Sequence, residues 1–343
     1  MAKNFKKANN HLTTVNARSV GIDVHKDKFV ACFEEVICGA DAGNDSQTHE
    51  EYLTVAGSLA DRAALIAWVK ERNPSVIIME STGIYWKALF KEMEEAGLEA
   101  NLINPRHFHR PDEGRKTDTA DALFLASLGR LGLFKASFIP CEPYRTLRLF
   151  VVAHHKNTTA LVANKNRHQK ILDDAGIHLG NVFSDPTQGK SAQAVLQLLI
   201  DDELTLENVK ACLQRRCKAT PEQVMAACAG TLTPAARELL RMYMEQIRLI
   251  SQHNERLEAF MEEKLNDDKW AIELLQSIPG VDHDAAVSMI SIFGTDLKNN
   301  FPSASAFVRW AGVCPGNNES AGVRKSTKCP HGLKTIKTIA VEC

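Results

Sequence analysis

Four acidic residues and one serine stand where folding alone has little use for them. Asp23 lies inside the apolar run Val20–Val24, and Glu80 closes the run Val-Ile-Ile-Met-Glu that begins at Val76. Asp118 and Asp121 fall three residues apart in KTDTADALFLASL. A carboxylate among apolar neighbours is costly unless something compensates it. On a helix, i,i+3 spacing puts Asp118 and Asp121 on one face. Four clustered carboxylates repel, and one or more of them holds its proton. A divalent cation removes both problems. Mg²⁺ takes oxygen ligands and keeps several waters, so few carboxylates suffice per ion. Two such ions about 3.5–4 Å apart stabilise the attacking and leaving oxygens of a phosphodiester displacement. Taken singly, Asp118 also reads as a helix N-cap, Asp121 as a first-turn acid and Glu80 as a solvated strand end. The conjunction is what points to metal chemistry.

The serine is Ser320, in the Gly/Asn-rich segment Pro315-Gly316-Asn317-Asn318-Glu319-Ser320-Ala321-Gly322. Gly and Asn favour turns, and such a loop holds a serine exposed and close to a ligand backbone. Between Ser320 and Val341 there is no acid, but there are Arg324, Lys325, Lys328, Lys334 and Lys337. That is a phosphate-binding pattern. A second acid-free stretch, from Pro143 to Leu172, carries Arg145, Arg148, Lys156, Lys165, Arg167 and Lys170, with His154, His155 and His168. Along a helix these either track a nucleic-acid backbone or form a solvated face.

Those residues need elements to position them. Alternating apolar runs at Val20–Val24 and Phe29–Phe33 flank the polar turn His25-Lys26-Asp27-Lys28, which predicts a hairpin. Glu50–Val55 predicts a third strand. Leu59–Glu71 and Trp86–Ala96 have helical spacing, with strands at Val76–Met79 and Ala100–Ile103. Three antiparallel strands followed by two strand–helix units match an RNase H-like layout. Pro140 and Pro143 mark a boundary. Leu147–Ile171 and Pro234–Lys264 read as long helices, with a less regular segment at 175–230 between them. SIPGVDHDAAVSMISIFG resembles a helix-hairpin-helix with Pro279-Gly280 at its turn, an element that presents backbone N–H groups to DNA phosphates.

The chain of 343 residues is long enough for two or three domains. Its 41 basic and 42 acidic residues exclude a uniformly basic coat protein but leave local patches open. The apolar share of 44% is that of a soluble globular protein, and no apolar run reaches membrane-spanning length. The N-terminus is polar and basic, as in a flexible arm rather than a secretory signal. Nine cysteines without a CxxC pair read as reduced thiols in a cytosol rather than a disulfide framework or zinc ribbon.

GIDVHKDKF, MESTGIYW, NPRHFHRPDEGRKTDTADA, SIPGV and FVRWAGVCPGNNESAG, in that order, resemble the DEDD transposases of the insertion-sequence "one-ten" group. Within it the likeness is to the "eleven-eleven" branch, the bridge-RNA-guided recombinases related to the pilin-gene inversion recombinase. The resemblance covers about residues 18–343. It implies an α/β plus all-α chain: a flexible arm at 1–17, a RuvC-like (RNase H-like) DEDD domain at 18–138, a coiled-coil-like helical connector at 139–265, and a C-terminal transposase domain at 266–343. It assigns Asp23, Glu80, Asp118 and Asp121 as catalytic Mg²⁺ ligands, and Ser320 as the nucleophile that becomes joined to DNA. The composite site is expected to lie between domains, across subunits. It implies double-stranded DNA and a structured noncoding guide RNA as partners, a dimer that pairs into a tetramer on DNA, no membrane, and a bacterial cytoplasmic, nucleoid-associated location.

The sequence departs from the family near its end. Cys329-Pro330-His331-Gly332 replaces a Lys-Gly-Asn-like turn, and family members continue further. A second reading is therefore a truncated, inactive remnant that only binds nucleic acid. A third, an actin-like ATPase fold, needs small residues after the first aspartate, where this chain has His25 and Lys26.

Overall fold

The computed structural model describes residues 14–37, 47–80, 83–104, 117–315, 318–320, 322–329, 332 and 334–342. It divides into two compact units, Met1–Ile139 and Pro140–Cys343. The expected arm at 1–17 lies outside the described residues except for 14–17.

The first unit runs β1 (Arg18–Val24), β2 (Lys28–Ile37), β3 (Gln47–Ala56), α1 (Leu59–Arg72), β4 (Val76–Glu80), α2 (Trp86–Glu95), β5 (Ala100–Ile103) and α3 (Asp118–Leu131). The five strands form one sheet in the order β3-β2-β1-β4-β5. β1–β2 and β2–β3 are antiparallel, whereas β1–β4 and β4–β5 are parallel. This is the RNase H-like arrangement that the element order predicts.

β1 is buried on both faces, and its period-2 alternation sorts two different jobs. Val20, Ile22 and Val24 join the core with Leu65, Val69, Leu89 and Met93 of α1 and α2. Each fully buried aliphatic side chain of that kind stabilises the fold by about 1.5–3 kcal/mol. Ser19, Gly21 and Asp23 take the other face, where α3 lies. Gly21 sits directly under the α3 backbone at Ala122 and Ala126. Val76 and Ile78, on β4, pack against Leu125 and Leu128 of the same helix. Glu34, 3% exposed on β2, is satisfied by Arg130 Nε at 2.9 Å and Ser127 Oγ at 3.1 Å.

The second unit begins with α4 (Glu142–Asp174) and continues through α5 (Lys190–Ile200), α6 (Leu206–Cys212), α7 (Pro221–Ala227) and α8 (Pro234–Lys264). The long helices α4 and α8 pair antiparallel. Phe150 stacks on Phe260 and His154 meets Glu258 at one end, while Leu172 shares a cluster with Leu240 at the other. Buried Leu240, Ile247, Asn254 and Met261 recur every seven residues on α8, a coiled-coil seam. The segment 175–230, which shows no clear period, is in fact α5, α6 and α7 around a core of Leu179, Val195, Leu196, Val209 and Val224. Helices of 7 to 11 residues are too short to display 3.6-residue periodicity.

His168 on α4 is 0% exposed, and neither ring nitrogen has a hydrogen-bond partner among the described residues. Burial pushes its pKa down to about 4, with Asp185 pulling it partly back. Between pH 6.5 and 4 the unfolded chain therefore binds a proton that the native state refuses. The contribution of His168 to stability is level above pH 6.5 and falls on acidification, by about 3 kcal/mol at pH 4. Replacing His168 with Leu is expected to flatten that part of the profile, as read by urea unfolding at pH 7.5 and 5. An unchanged acid slope would place the titration elsewhere.

The unit ends with α9 (Lys269–Gln276), α10 (His283–Phe293), α11 (Leu297–Asn300), α12 (Ala304–Ala311), β6 (Asn318–Ser320), β7 (Val323–Ser326) and α13 (Lys334–Glu342). α9 and α10 are joined by a tight turn with Gly280 at φ 88°, the helix-hairpin-helix-like element, and Asp282 caps α10 through the Ala285 N–H at 2.8 Å. None of the described helices is long and apolar enough to cross a membrane.

Candidate active site at one edge of the sheet

β1 and β4 are adjacent parallel strands in which Ile22 pairs with Met79. One residue further on, Asp23 and Glu80 stand side by side where both strands end. α3 crosses the same face and begins at that edge, so its first turn brings Asp118 and Asp121 to the two strand-borne acids. Thr117 caps α3, its hydroxyl accepting from the Ala120 N–H at 3.3 Å. Asp118 is therefore not the N-cap that its position allows. Its carboxylate is left for other partners.

The acids differ in environment. Asp23 is 4% exposed. Burial raises its pKa, and the charges of Glu80 and Asp121 add to that rise, against the opposing pull of His25. Asp118 is half-buried, and its pKa is lowered by the hydrogen bond it accepts from Lys28. Mutual repulsion and desolvation at Asp23 are what a cluster of carboxylates awaiting a cation shows. The donor set fits a hard divalent ion: carboxylate oxygens on rigid elements, one buried and held against its neighbours' charge.

Two site residues were not singled out by type and spacing. His25 Nε2 lies 2.9 Å from Asp23 Oδ2 and 3.4 Å from Asp118 Oδ1. Lys28 donates to the other oxygen of Asp118. His25 belongs to the β1–β2 turn and Lys28 opens β2, a stretch that reads as mere connection; its following Asp23 so closely is the signal that places it at the same edge.

Ser320 is not in a loop. It closes β6, which pairs antiparallel with β7, Ser320 opposite Val323 and Glu319 opposite Arg324. Gly322, at φ 76°, supplies the left-handed conformation of the connection. Arg324 and Lys325 lie on β7, and Lys328 is exposed just beyond it.

Several basic residues of α4 already have partners, one of them an acid beyond the helix. Arg145 pairs with Glu142 at 2.9 Å and Lys165 with Asp185 at 2.7 Å. Arg167 donates to Asn164 at 3.1 Å. Arg148 is half-buried, and desolvation lowers its pKa. Lys156, Arg167 and Lys170 are exposed. The stretch is acid-free in sequence but only partly so in space.

An RNase H-like domain with carboxylates at its strand edge, followed by a helical unit, is the layout expected of a DEDD transposase. Comparison with known families agrees. A DEDD transposase model of the IS110 group matches residues 20–177, and a model described as Transposase IS116/IS110/IS902 family matches residues 272–343. The chain belongs to the IS110 family of DEDD transposases. Among solved structures, that of Thermus thermophilus RuvC is similar at 15% identity, over 35% of this chain and 99% of that one, with a TM-score of 0.27. No curated protein matches the chain.

Proposed function

We propose that this transposase is a recombinase that cuts and rejoins DNA through Ser320, with Mg²⁺ held by Asp23, Glu80, Asp118 and Asp121. The observation that carries the metal reading is the convergence of the four acids, with the Asp23 carboxyl driven above its usual range. The bound ion would lower the pKa of the attacking hydroxyl and neutralise charge on the transferring phosphoryl group.

The residues then divide the work. Ser320 Oγ attacks phosphorus; the serine–phosphate bond forms as the strand's P–O bond breaks, and the departing deoxyribose oxygen takes a proton. A deoxyribose hydroxyl of the second DNA reverses this, forming the new strand and returning the proton to Ser320. One phosphodiester is exchanged for another, so no high-energy cofactor is consumed. Arg324, Lys325 and Lys328, next to the serine in sequence, would neutralise strand phosphates, and the exposed Lys156, Arg167 and Lys170 would extend that path. Arg145, Arg148 and Lys165 would contribute after exchanging their present partners or environment.

Sequence choice is assigned to a structured noncoding RNA that pairs with both DNAs. The protein then relies on backbone and shape contacts, as in other RNA-guided systems. A homo-oligomer, dimer or tetramer, is supported by the exposed Leu149, Val152 and Val162 on α4 and Leu239, Met242, Leu249 and Phe260 on α8.

With labelled DNA, guide RNA and Mg²⁺, the wild type is expected to form a denaturant-stable protein–DNA adduct that maps to Ser320. Ser320→Ala forms none, while retaining salt-dependent DNA binding. An adduct in Ser320→Ala removes Ser320 from the role; recombination without RNA removes the guide.

A further inference from the structure

The β1–β2 hairpin leaves Asp23 buried and turns at once through His25, whose N–H donates to the Lys28 carbonyl at 3.0 Å. That closure fixes the His25 backbone two residues beyond the buried acid. The imidazole lies over the carboxylate edge, 2.9 Å from Asp23 and 3.4 Å from Asp118. The donor atoms of Asp23, His25 and Asp118 all lie within 4.8 Å of one another. They come from a strand, a turn and a helix, and the sheet register and the seating of α3 bring them together.

A hydrogen bond accounts for only half of this. One imidazole nitrogen carries a single proton and serves one carboxylate oxygen at a time, yet Nε2 faces oxygens of two. A central cation satisfies all three donors together. Around an octahedral ion with bonds of about 2.1 Å, adjacent ligand atoms are about 3.0 Å apart. The separation from Asp23, 2.9 Å, matches that edge length, and the one from Asp118, 3.4 Å, lies a few tenths of an ångström beyond it.

We infer that His25 is itself a metal ligand, its Nε2 binding beside Asp23 and Asp118. This rests on the reading of the carboxylates as a cation site and adds a nitrogen to it. The consequence is selectivity. Carboxylate and water suit Mg²⁺ and Mn²⁺, whereas imidazole favours Co²⁺ and Ni²⁺, which also stand higher in the general affinity order. A nitrogen donor therefore strengthens binding of the later transition ions while adding little for Mg²⁺.

The test uses full-length, untagged protein with the ions alone. Mn²⁺ bound to the wild type is expected to show nitrogen coupling in its pulsed electron paramagnetic resonance, and His25→Ala to lose it. His25→Ala should also weaken Co²⁺ binding about tenfold by calorimetry, with Mg²⁺ binding changed less than twofold. His25 is in a surface turn, so the variant's unchanged melting temperature serves as the fold control. Asp23→Asn should lose all three ions. If His25→Ala keeps both the coupling and the Co²⁺ affinity while Asp23→Asn loses the ions, His25 is not a ligand and the carboxylate site stands. If His25→Ala weakens Co²⁺ and Mg²⁺ equally and the wild type shows no nitrogen coupling, the imidazole merely positions Asp23 and the inference fails. If Asp23→Asn binds Mn²⁺ like the wild type, the carboxylate reading itself falls.

Discussion

Asp23→Asn is expected to lower strand transfer on the element's own DNA ends by roughly 10³-fold or more, the equivalent of about 4 kcal/mol of transition-state stabilisation. The same protein, free of metal at pH 7.5, should melt no lower than the wild type. The reason is the direction of the Asp23 shift. Burial, then Glu80 and Asp121, raise its pKa above 3.8. Between the unfolded value and the raised one, the native state holds a proton that the unfolded chain has released, so stability falls as pH rises through that window. At neutral pH the ionised carboxylate is a cost to folding, and a neutral amide removes it. Added Mg²⁺ then separates the two proteins. At 100 times its dissociation constant a ligand stabilises by about 2.7 kcal/mol, and only the wild type should gain it. Asp118→Asn should behave differently without metal, because Lys28 holds the Asp118 carboxyl below its usual range. Two acids of one site are thus pushed apart, one strained and one compensated. Wild-type activity in Asp23→Asn would remove it from the chemistry.

Much of this was legible in the residues. The strand pattern of the first unit is read from alternation because one face of each strand packs on α1 and α2 whatever else happens. The element order of three strands and then two helix–strand units matches an RNase H-like layout, and in the fold β1 and β4 are neighbours. That adjacency is what joins Asp23 to Glu80. α8 is legible to the residue, since Thr233-Pro234 starts it and helical spacing, with a seven-residue repeat of buried positions that is apolar except at Asn254, runs its length. The failures share a cause. His25 and Lys28 look like turn filler because their partner Asp118 is contributed by a distant helix. The charge of α4 looks free because Asp185 lies beyond the stretch being counted. Ser320 looks like a loop residue because three strand residues carry too little pattern to outweigh Gly and Asn around them. Each depends on a contact that local periodicity does not encode.

Gly21→Ala is the second large effect, expected on stability and activity together. Gly21 is an ordinary strand residue by backbone angle, so its need is for space. A Cβ there would lie 2.2 Å from the Ala122 carbonyl oxygen, 2.3 Å from the Ala126 nitrogen and 2.7 Å from the Leu125 Cβ. Two of these are backbone atoms of α3, which no rotamer change can move. The helix must lift off β1, and overpacking of that kind costs about 3 kcal/mol or more. In a unit of this size that lowers the melting temperature by about 10 °C. α3 also carries Asp118 and Asp121, so lifting it draws them away from Asp23 and Glu80. A displacement near 1 Å at a catalytic group costs about 10²-fold in rate. Gly129→Ala is the graded control. Its Cβ would meet side chains of Ile78 at 3.0 Å and Val76 at 3.1 Å, which need to give by only a few tenths of an ångström. It lies at the far end of α3 from the acids, so a modest loss of stability with near-normal rate is expected. Thermal melts and single-turnover strand transfer on both variants decide the point. A Gly21→Ala protein that melts within 2 °C of the wild type and keeps its rate would mean that α3 does not seat on β1 through this glycine, and that the site's two halves are held together by something else.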